Sequence, residues 1–247
     1  MAGAHRLAGP GPAAVTPVLL LHSAGLDGRS ARYLDLPATV LGPTLPGHGR
    51  RGRPRPDLSL ADMVDEVAGW LPEPAHVVGL SMGGMVAQQL ALAHPDLVRS
   101  LVLACTTAGT PTQVLLDRAA ATEADPRAET IRTTMRRWFT AAALSGEPAE
   151  PVAYARSCLE TIDTTALAAV WRALAGHDVT DRLAEITVPT TCVAGRYDVS
   201  TPPDVVAALA AGLPDARLVQ VDGPHLAMLE EPAAFRATVM EHLARVG

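Results

Sequence analysis

The stretch Val77-Val78-Gly79-Leu80-Ser81-Met82-Gly83-Gly84 decides how the rest of this chain is read. Two β-branched valines run into a glycine-flanked serine, and a helix-like segment over residues 85–94 follows directly. This is a G-x-S-x-G pattern set between a strand and a helix. A serine at so sharp and strained a bend needs small neighbours, and glycines two before and two after it let the helix pack close to the strand. The hydroxyl then projects at the edge of the sheet. Ser81 is therefore a candidate nucleophile, provided the chain supplies a base, an acid and an oxyanion hole in the matching order.

Outward from this point, strand and helix patterns alternate. Val18-Leu19-Leu20-Leu21 is a continuous apolar run, as a strand buried on both faces requires, and it ends in the small-residue loop His22-Ser23-Ala24-Gly25. Thr39-Val40-Leu41 is a weaker strand leading into Leu45-Pro46-Gly47-His48-Gly49. Ser59 with Asp62 caps a helix whose apolar face is Leu60, Met63, Val64, Val67 and Leu71. Residues 76–80 and 98–104 read as buried strands, and residues 3–8 as a short edge strand. From residue 111 to about 176 only helical patterns occur: Ile131, Met135 and Trp138 fall at i, i+4 and i+7, and Leu167, Val170, Trp171 and Leu174 repeat the spacing. Strands resume at 190–194 and 218–221, with helices near 203–211 and 232–246. The pattern predicts an α/β fold with a mostly parallel central sheet and helices on both faces. Its core comprises residues 1–110 and 177–247, and residues 111–176 form a helical lid inserted after the strand that follows the Ser81 helix.

The bulk composition narrows the function. The 247 residues are 48% hydrophobic and 19% charged, an ordinary globular balance, and the net charge of −6 gives no support to nucleic-acid binding. All 20 basic residues are arginine, which fits a biased coding composition together with heavy alanine and proline use. Cys105, Cys158 and Cys192 are scattered and lack metal-ligand spacing, so free thiols in a reducing compartment are expected. No secretory signal pattern and no apolar run of membrane-spanning length is seen, which leads to the expectation of a cytoplasmic protein with no membrane partner.

A serine nucleophile needs a base and an orienting acid. Among eight histidines, His225 stands in Asp222-Gly223-Pro224-His225, a loop directly after the last strand, where a site at the carboxyl end of a parallel sheet belongs. Asp198, in Gly195-Arg196-Tyr197-Asp198, follows the strand at 190–194 and completes the order Ser, Asp, His. Asp178 and Asp181 precede that strand and sit at its wrong end, and Asp222 is too near His225 in sequence. The oxyanion donors expected are the backbone N–H of Met82, at the positive end of its helix, and that of Ala24, with Ser23 as the alternative in the same loop. His22 reads as a loop anchor.

These pieces resemble the α/β-hydrolase superfamily across nearly the whole chain. The carriers are Leu21-His22-Ser23-Ala24-Gly25, Pro46-Gly47-His48-Gly49, Gly79-Leu80-Ser81-Met82-Gly83-Gly84, Gly195-Arg196-Tyr197-Asp198 with Thr201-Pro202, and Gly223-Pro224-His225. Within it, Arg137-Trp138-Phe139-Thr140 and the stretch from Tyr154 to Cys158 look like the 3-oxoadipate enol-lactonases. Two departures are visible. Ser23 stands where these families usually have glycine, and the N-terminus is too short for the usual opening pair of strands, so the sheet is expected to lose one or both.

The resemblance implies hydrolysis of a small-molecule ester or lactone through an acyl-enzyme on Ser81, Asp198 and His225, with no metal or organic cofactor. The lid is expected to set specificity. Trp138, Arg137 and Tyr154 are the candidate substrate contacts, with Arg132 and Arg136 as further carboxylate-binding candidates or members of a solvated arginine face. Acyl transfer, carbon–carbon bond cleavage, a haloperoxidase-like side activity and a non-catalytic ligand receptor remain open, and the oligomeric state is not addressed by the sequence.

Overall fold

A computed structural model describes residues 16–49, 52, 53 and 55–247. Six strands among the described residues form one entirely parallel sheet. They are β1 (Val18–Leu21), β2 (Val40–Leu41), β3 (Ala75–Leu80), β4 (Val98–Ala104), β5 (Thr190–Gly195) and β6 (Ala216–Val221), in the spatial order β2-β1-β3-β4-β5-β6. The edge strand expected over residues 3–8 lies outside the described residues. The apolar runs of β1, β3 and β5 are buried throughout, as strands covered on both faces must be. Alternate side chains feed two cores. Leu19, Leu21, Val77, Leu101 and Leu103 pack on one face with α1 (Leu60–Trp70), α2 (Met82–Ala93) and α7 (Pro203–Gly212). Val18, Leu20, Val78, Val102 and Val193 pack on the other with α8 (Ala227–Glu230) and α9 (Pro232–Val246).

Local chemistry fixes the element ends. Ser59 and Asp62 close a reciprocal capping box on α1: the Ser59 hydroxyl accepts from the Asp62 N–H at 3.1 Å, and the Asp62 carboxylate accepts from the Ser59 N–H at 2.9 Å. Such a cap contributes about 1 kcal/mol. The crossing of α2 over the sheet is closer than any side chain permits at one point. A Cβ on Gly83 would lie 2.0 Å from the carbonyl oxygen of Leu21, which is backbone and cannot give way.

Four helices lie between β4 and β5: α3 (Thr112–Ala124), α4 (Arg127–Trp138), α5 (Glu150–Thr161) and α6 (Thr164–Leu174). An antiparallel bridge between Gly109 and Asp178 closes the base of this insert, with the Val179 N–H donating to the Ala108 carbonyl at 2.8 Å. The insert shares in both cores. Leu115, Leu167, Val170 and Leu174 join the α1–α2 side, whereas Ile131, Met135, Trp138 and Leu159 join the α8–α9 side.

A buried polar chain ties β3, β4, β5 and α9 together. Ser100 Oγ lies 2.7 Å from His76 Nδ1 and 2.8 Å from His242 Nε2, and His242 Nδ1 lies 2.9 Å from Thr191 Oγ1. Burial, with Arg245 and His76 nearby, lowers His242 from 6.5 to about 4, so it is neutral in the folded protein. The unfolded chain therefore takes up the proton first. His242 contributes its full stabilisation above pH 6.5, and that is lost as pH falls through 4. Urea unfolding between pH 7.5 and 4 is expected to lose on the order of 3 kcal/mol through this residue, with a shallower slope in His242→Gln. The close crossing carries a second expectation: Gly83→Ala destabilises by about 4 kcal/mol or more, read as loss of soluble protein or collapse of the thermal midpoint.

Candidate active site

Ser81 sits between β3 and α2 with φ 51° and ψ −113°, a conformation a side-chain-bearing residue rarely adopts. Holding it costs on the order of 1–3 kcal/mol, and the surroundings over-determine it. Its N–H donates to the Ala104 carbonyl at 2.9 Å. Its own carbonyl accepts from Gly84 N–H (2.9 Å), Met85 N–H (3.2 Å) and the Thr106 hydroxyl (2.7 Å). The bend turns the side chain toward the loop after β6, where Ser81 Oγ meets His225 Nε2 at 3.0 Å. His225 Nδ1 in turn lies 2.8 Å from Asp198 Oδ2, in the loop after β5.

The Asp198 carboxylate is held from several sides. Oδ1 accepts from the N–H groups of Ser200 (2.7 Å) and Thr201 (3.0 Å), and Oδ2 accepts from the Thr201 hydroxyl at 2.7 Å. Burial works to raise its pKa, but the hydrogen bond and charge of His225, with the hydrogen bonds from Thr201, outweigh this and hold it below the ordinary carboxylate range. An ionised Asp198 keeps the imidazole proton on Nδ1, which leaves Nε2 free to accept from the Ser81 hydroxyl. The geometry is thus that of a serine whose proton has a destination. Cys105 also approaches this group, its thiol lying within 4.8 Å of the acid and imidazole atoms. Burial pushes that thiol well above its ordinary pKa, so it stays protonated beside the acid and the imidazole.

Ser81 and His225 open into a cavity of about 510 Å³, walled by the loop Ser23-Ala24-Gly25, by Met82 and Met85 of α2, and by side chains of the helical insert. Met82 is the first residue of α2, and the N–H groups of a first helical turn have no acceptor within the helix. Ala24 is buried and lines the same cavity. The serine in place of glycine at position 23 is accommodated: it is buried, and its carbonyl accepts from the Leu26 N–H at 3.1 Å. His22 anchors this loop. Its Nε2 accepts from the Leu45 N–H at 2.9 Å, its Nδ1 lies 2.9 Å from the Ser23 carbonyl, and burial lowers it to about 4.

Of the expected substrate contacts, Trp138 and Arg137 line the cavity. Tyr154 does not, and this corrects the sequence reading. Its hydroxyl lies 3.0 Å from the Asp27 carbonyl and 3.1 Å from the Asp27 carboxylate, and its ring packs against Tyr33, Arg29 and Arg32. Asp27, itself paired with Arg29, captures the phenol and turns it away from Ser81. Arg132 pairs with Glu129, and both Arg132 and Arg136 are exposed, so only Arg137 of the three reaches the cavity. Sequence reasoning missed Arg118 of α3, which lines the same cavity and lies over the Trp171 ring at 5.5 Å. It also missed the clasp from the insert to the histidine loop, where the Leu226 N–H donates to the Trp138 carbonyl at 3.1 Å and the Thr140 N–H donates to Glu230 at 3.0 Å. No local pattern marks either feature.

Similarity to known proteins agrees with this geometry. A sequence model of the Alpha/beta hydrolase family matches residues 18–238. A putative carbamate hydrolase of Azorhizobium caulinodans is 31% identical, covering 91% of this chain and 90% of its own. A pimeloyl-acyl-carrier-protein methyl ester esterase of Aromatoleum aromaticum is 33% identical, covering 87% and 93%. Among solved structures, the enol-lactonase of Burkholderia xenovorans LB400 superposes with a TM-score of 0.87 at 26% identity, covering 93% of this chain and 92% of that one. With a parallel sheet, an interposed helical segment and a strained serine bend all in register with that pattern, the chain belongs to the alpha/beta hydrolase family and is a hydrolase.

Proposed function

We propose that this enzyme cleaves a small-molecule carboxylic ester or lactone through an acyl-enzyme on Ser81. The observation that carries the reading is the relay of 3.0 Å from Ser81 Oγ to His225 Nε2 and 2.8 Å from His225 Nδ1 to Asp198, open to a cavity of about 510 Å³. Ser81 Oγ attacks the carbonyl carbon as its proton passes to His225 Nε2, and Asp198 stabilises the imidazolium. The negative charge that develops on the carbonyl oxygen is met by the N–H groups of Met82 and Ala24. His225 returns the proton to the leaving alkoxide, whose C–O bond breaks. In a lactone both halves stay on one molecule. Water, deprotonated by the same His225, attacks the acyl carbon; the bond to Ser81 Oγ breaks as that oxygen takes the proton back from His225, and the acid leaves.

The names of the relatives, a carbamate hydrolase, a methyl ester esterase and an enol-lactonase, share attack on a carbonyl carrying a heteroatom leaving group. The cavity volume sits within the range of small-molecule sites. In this reading the insert from α3 to α6 acts as the lid that selects the acyl group, with Trp138 and Arg137 at its inner face.

The test is hydrolysis of a panel holding an activated short-chain ester, simple lactones and an enol-lactone. Wild-type protein is expected to release product. Ser81→Ala is expected to lose at least about 10⁴-fold in kcat, and Asp198→Asn about 10⁴-fold, with substrate binding retained. Turnover that survives Ser81→Ala would refute the acyl-enzyme.

A further inference from the structure

The loop that carries Ala24 is held at its two ends by side chains that do not line the cavity. At its start, His22 Nε2 accepts from the Leu45 N–H at 2.9 Å. At its end, the Tyr154 hydroxyl of α5 grips Asp27. The phenol oxygen accepts from the Asp27 N–H at 3.3 Å, and its proton is within reach of the Asp27 carbonyl at 3.0 Å and carboxylate at 3.1 Å. One hydroxyl thus meets the N–H, the carbonyl and the side chain of a single residue. Tyr154 is buried, and desolvation raises its pKa, so the proton that makes these bonds stays in place.

Between these anchors the chain turns tightly. The Leu26 N–H donates to the Ser23 carbonyl at 3.1 Å, and Gly25 takes a φ of 87°. Small residues leave such a turn soft, glycine most of all, so its shape comes from what holds it. Trp138 and Leu159 cover it: a Cβ on Gly25 would lie 2.9 Å from the first and 3.0 Å from the second. The Ala24 N–H within the turn meets no acceptor among the described residues, although Ala24 is buried. Buried backbone donors are rarely left open, and Ala24 lines the cavity together with Ser81.

We infer that Tyr154 is a positioning residue: by holding Asp27, three residues on, it fixes the turn that aims the Ala24 N–H at the substrate's carbonyl oxygen. Tyr154 touches no substrate and acts through the main chain. An oxyanion donor helps only if it is in place before the charge develops, so a misaimed N–H weakens the transition state more than the bound ester. Tyr33 gives the contrast. Its hydroxyl donates to Glu150 of α5 at 2.6 Å, joining the segment after Asp27 to the same helix, but it makes no bond to the turn. The aim at a carbonyl oxygen rests on the ester-hydrolase reading, whereas the hold on the turn does not.

The test separates the two. Tyr154→Phe removes the hydroxyl and keeps the ring. By residue-resolved amide exchange, the Leu26 N–H of this variant is expected to exchange about tenfold faster than in the wild type, with Leu20 and Leu21 of β1 unchanged. On 4-nitrophenyl butyrate, kcat is expected to fall about tenfold with KM within about twofold. Affinity for butylboronic acid, which forms a tetrahedral adduct on a reactive serine, is expected to fall by the same factor as kcat. Tyr33→Phe is expected to leave kcat, KM and the Leu26 exchange as in the wild type. Unchanged Leu26 exchange in Tyr154→Phe would overturn the hold on the turn. A loss carried by KM, or matched by Tyr33→Phe, would overturn the positioning role. Should Tyr154→Phe fail to fold, 4-aminophenylalanine at position 154 serves: it keeps the ring and a donor, accepts poorly, and is expected to show the same kcat loss in smaller measure. Faster Leu26 exchange in a protein whose wild type hydrolyses no ester would leave the hold standing and remove the hydrolase reading, and the oxyanion role with it.

Discussion

The whole site depends on one strained backbone position. Ser81 could relax by rotating toward an ordinary φ, and doing so would carry its hydroxyl away from His225. It is prevented by contacts on every side: the Ala104 carbonyl fixes its N–H, and three donors converge on its own carbonyl. The glycines serve the same end. A Cβ on Gly79 would stand 2.5 Å from the Gly83 carbonyl oxygen, and one on Gly83 would stand 2.0 Å from that of Leu21. The strand, the bend and the helix therefore form one rigid corner, and its strain is sustained by the folding energy of the two cores beneath it.

The same residue types can form a contact of quite different meaning. Ser100 and His242 are within hydrogen-bond distance, much as Ser81 and His225 are. Yet both nitrogens of His242 are occupied by hydroxyls, no carboxylate orients the ring, and Ser100 is wholly buried without access to the cavity. A serine beside a histidine becomes reactive only where a charge directs the proton and space admits a carbonyl. Strand ends in an open parallel sheet provide both; strand interiors provide neither.

This difference explains what could be read from the sequence. Apolar runs revealed the central strands because burial on both faces leaves no room for polar alternation, and the six strands found follow from Val18 onward. Ser81, Asp198 and His225 were legible because each follows a strand directly, so its place is set by the strand's length and direction. The helical insert was legible as helices but not as a wall. Which way Tyr154, Arg118 or Arg137 points depends on how α3 to α6 pack on each other and on the loop after β1, over separations of more than a hundred residues in the case of Tyr154 and Asp27. Periodicity marks the buried side of a helix and is silent about which buried side faces a cavity. Tyr154 and Trp138 look alike by that measure, and the polar contacts of the Tyr154 hydroxyl with Asp27 part them.

Two of the insert's attachments to the core differ in character. At its base, the Gly109–Asp178 bridge joins the two ends of the insert, like the shank of a loop. At its inner edge, the Trp138 carbonyl is bonded to the N–H of Leu226, the residue directly after His225. The inner wall of the cavity and the loop that carries the imidazole are therefore fixed to each other through the backbone, one residue from His225.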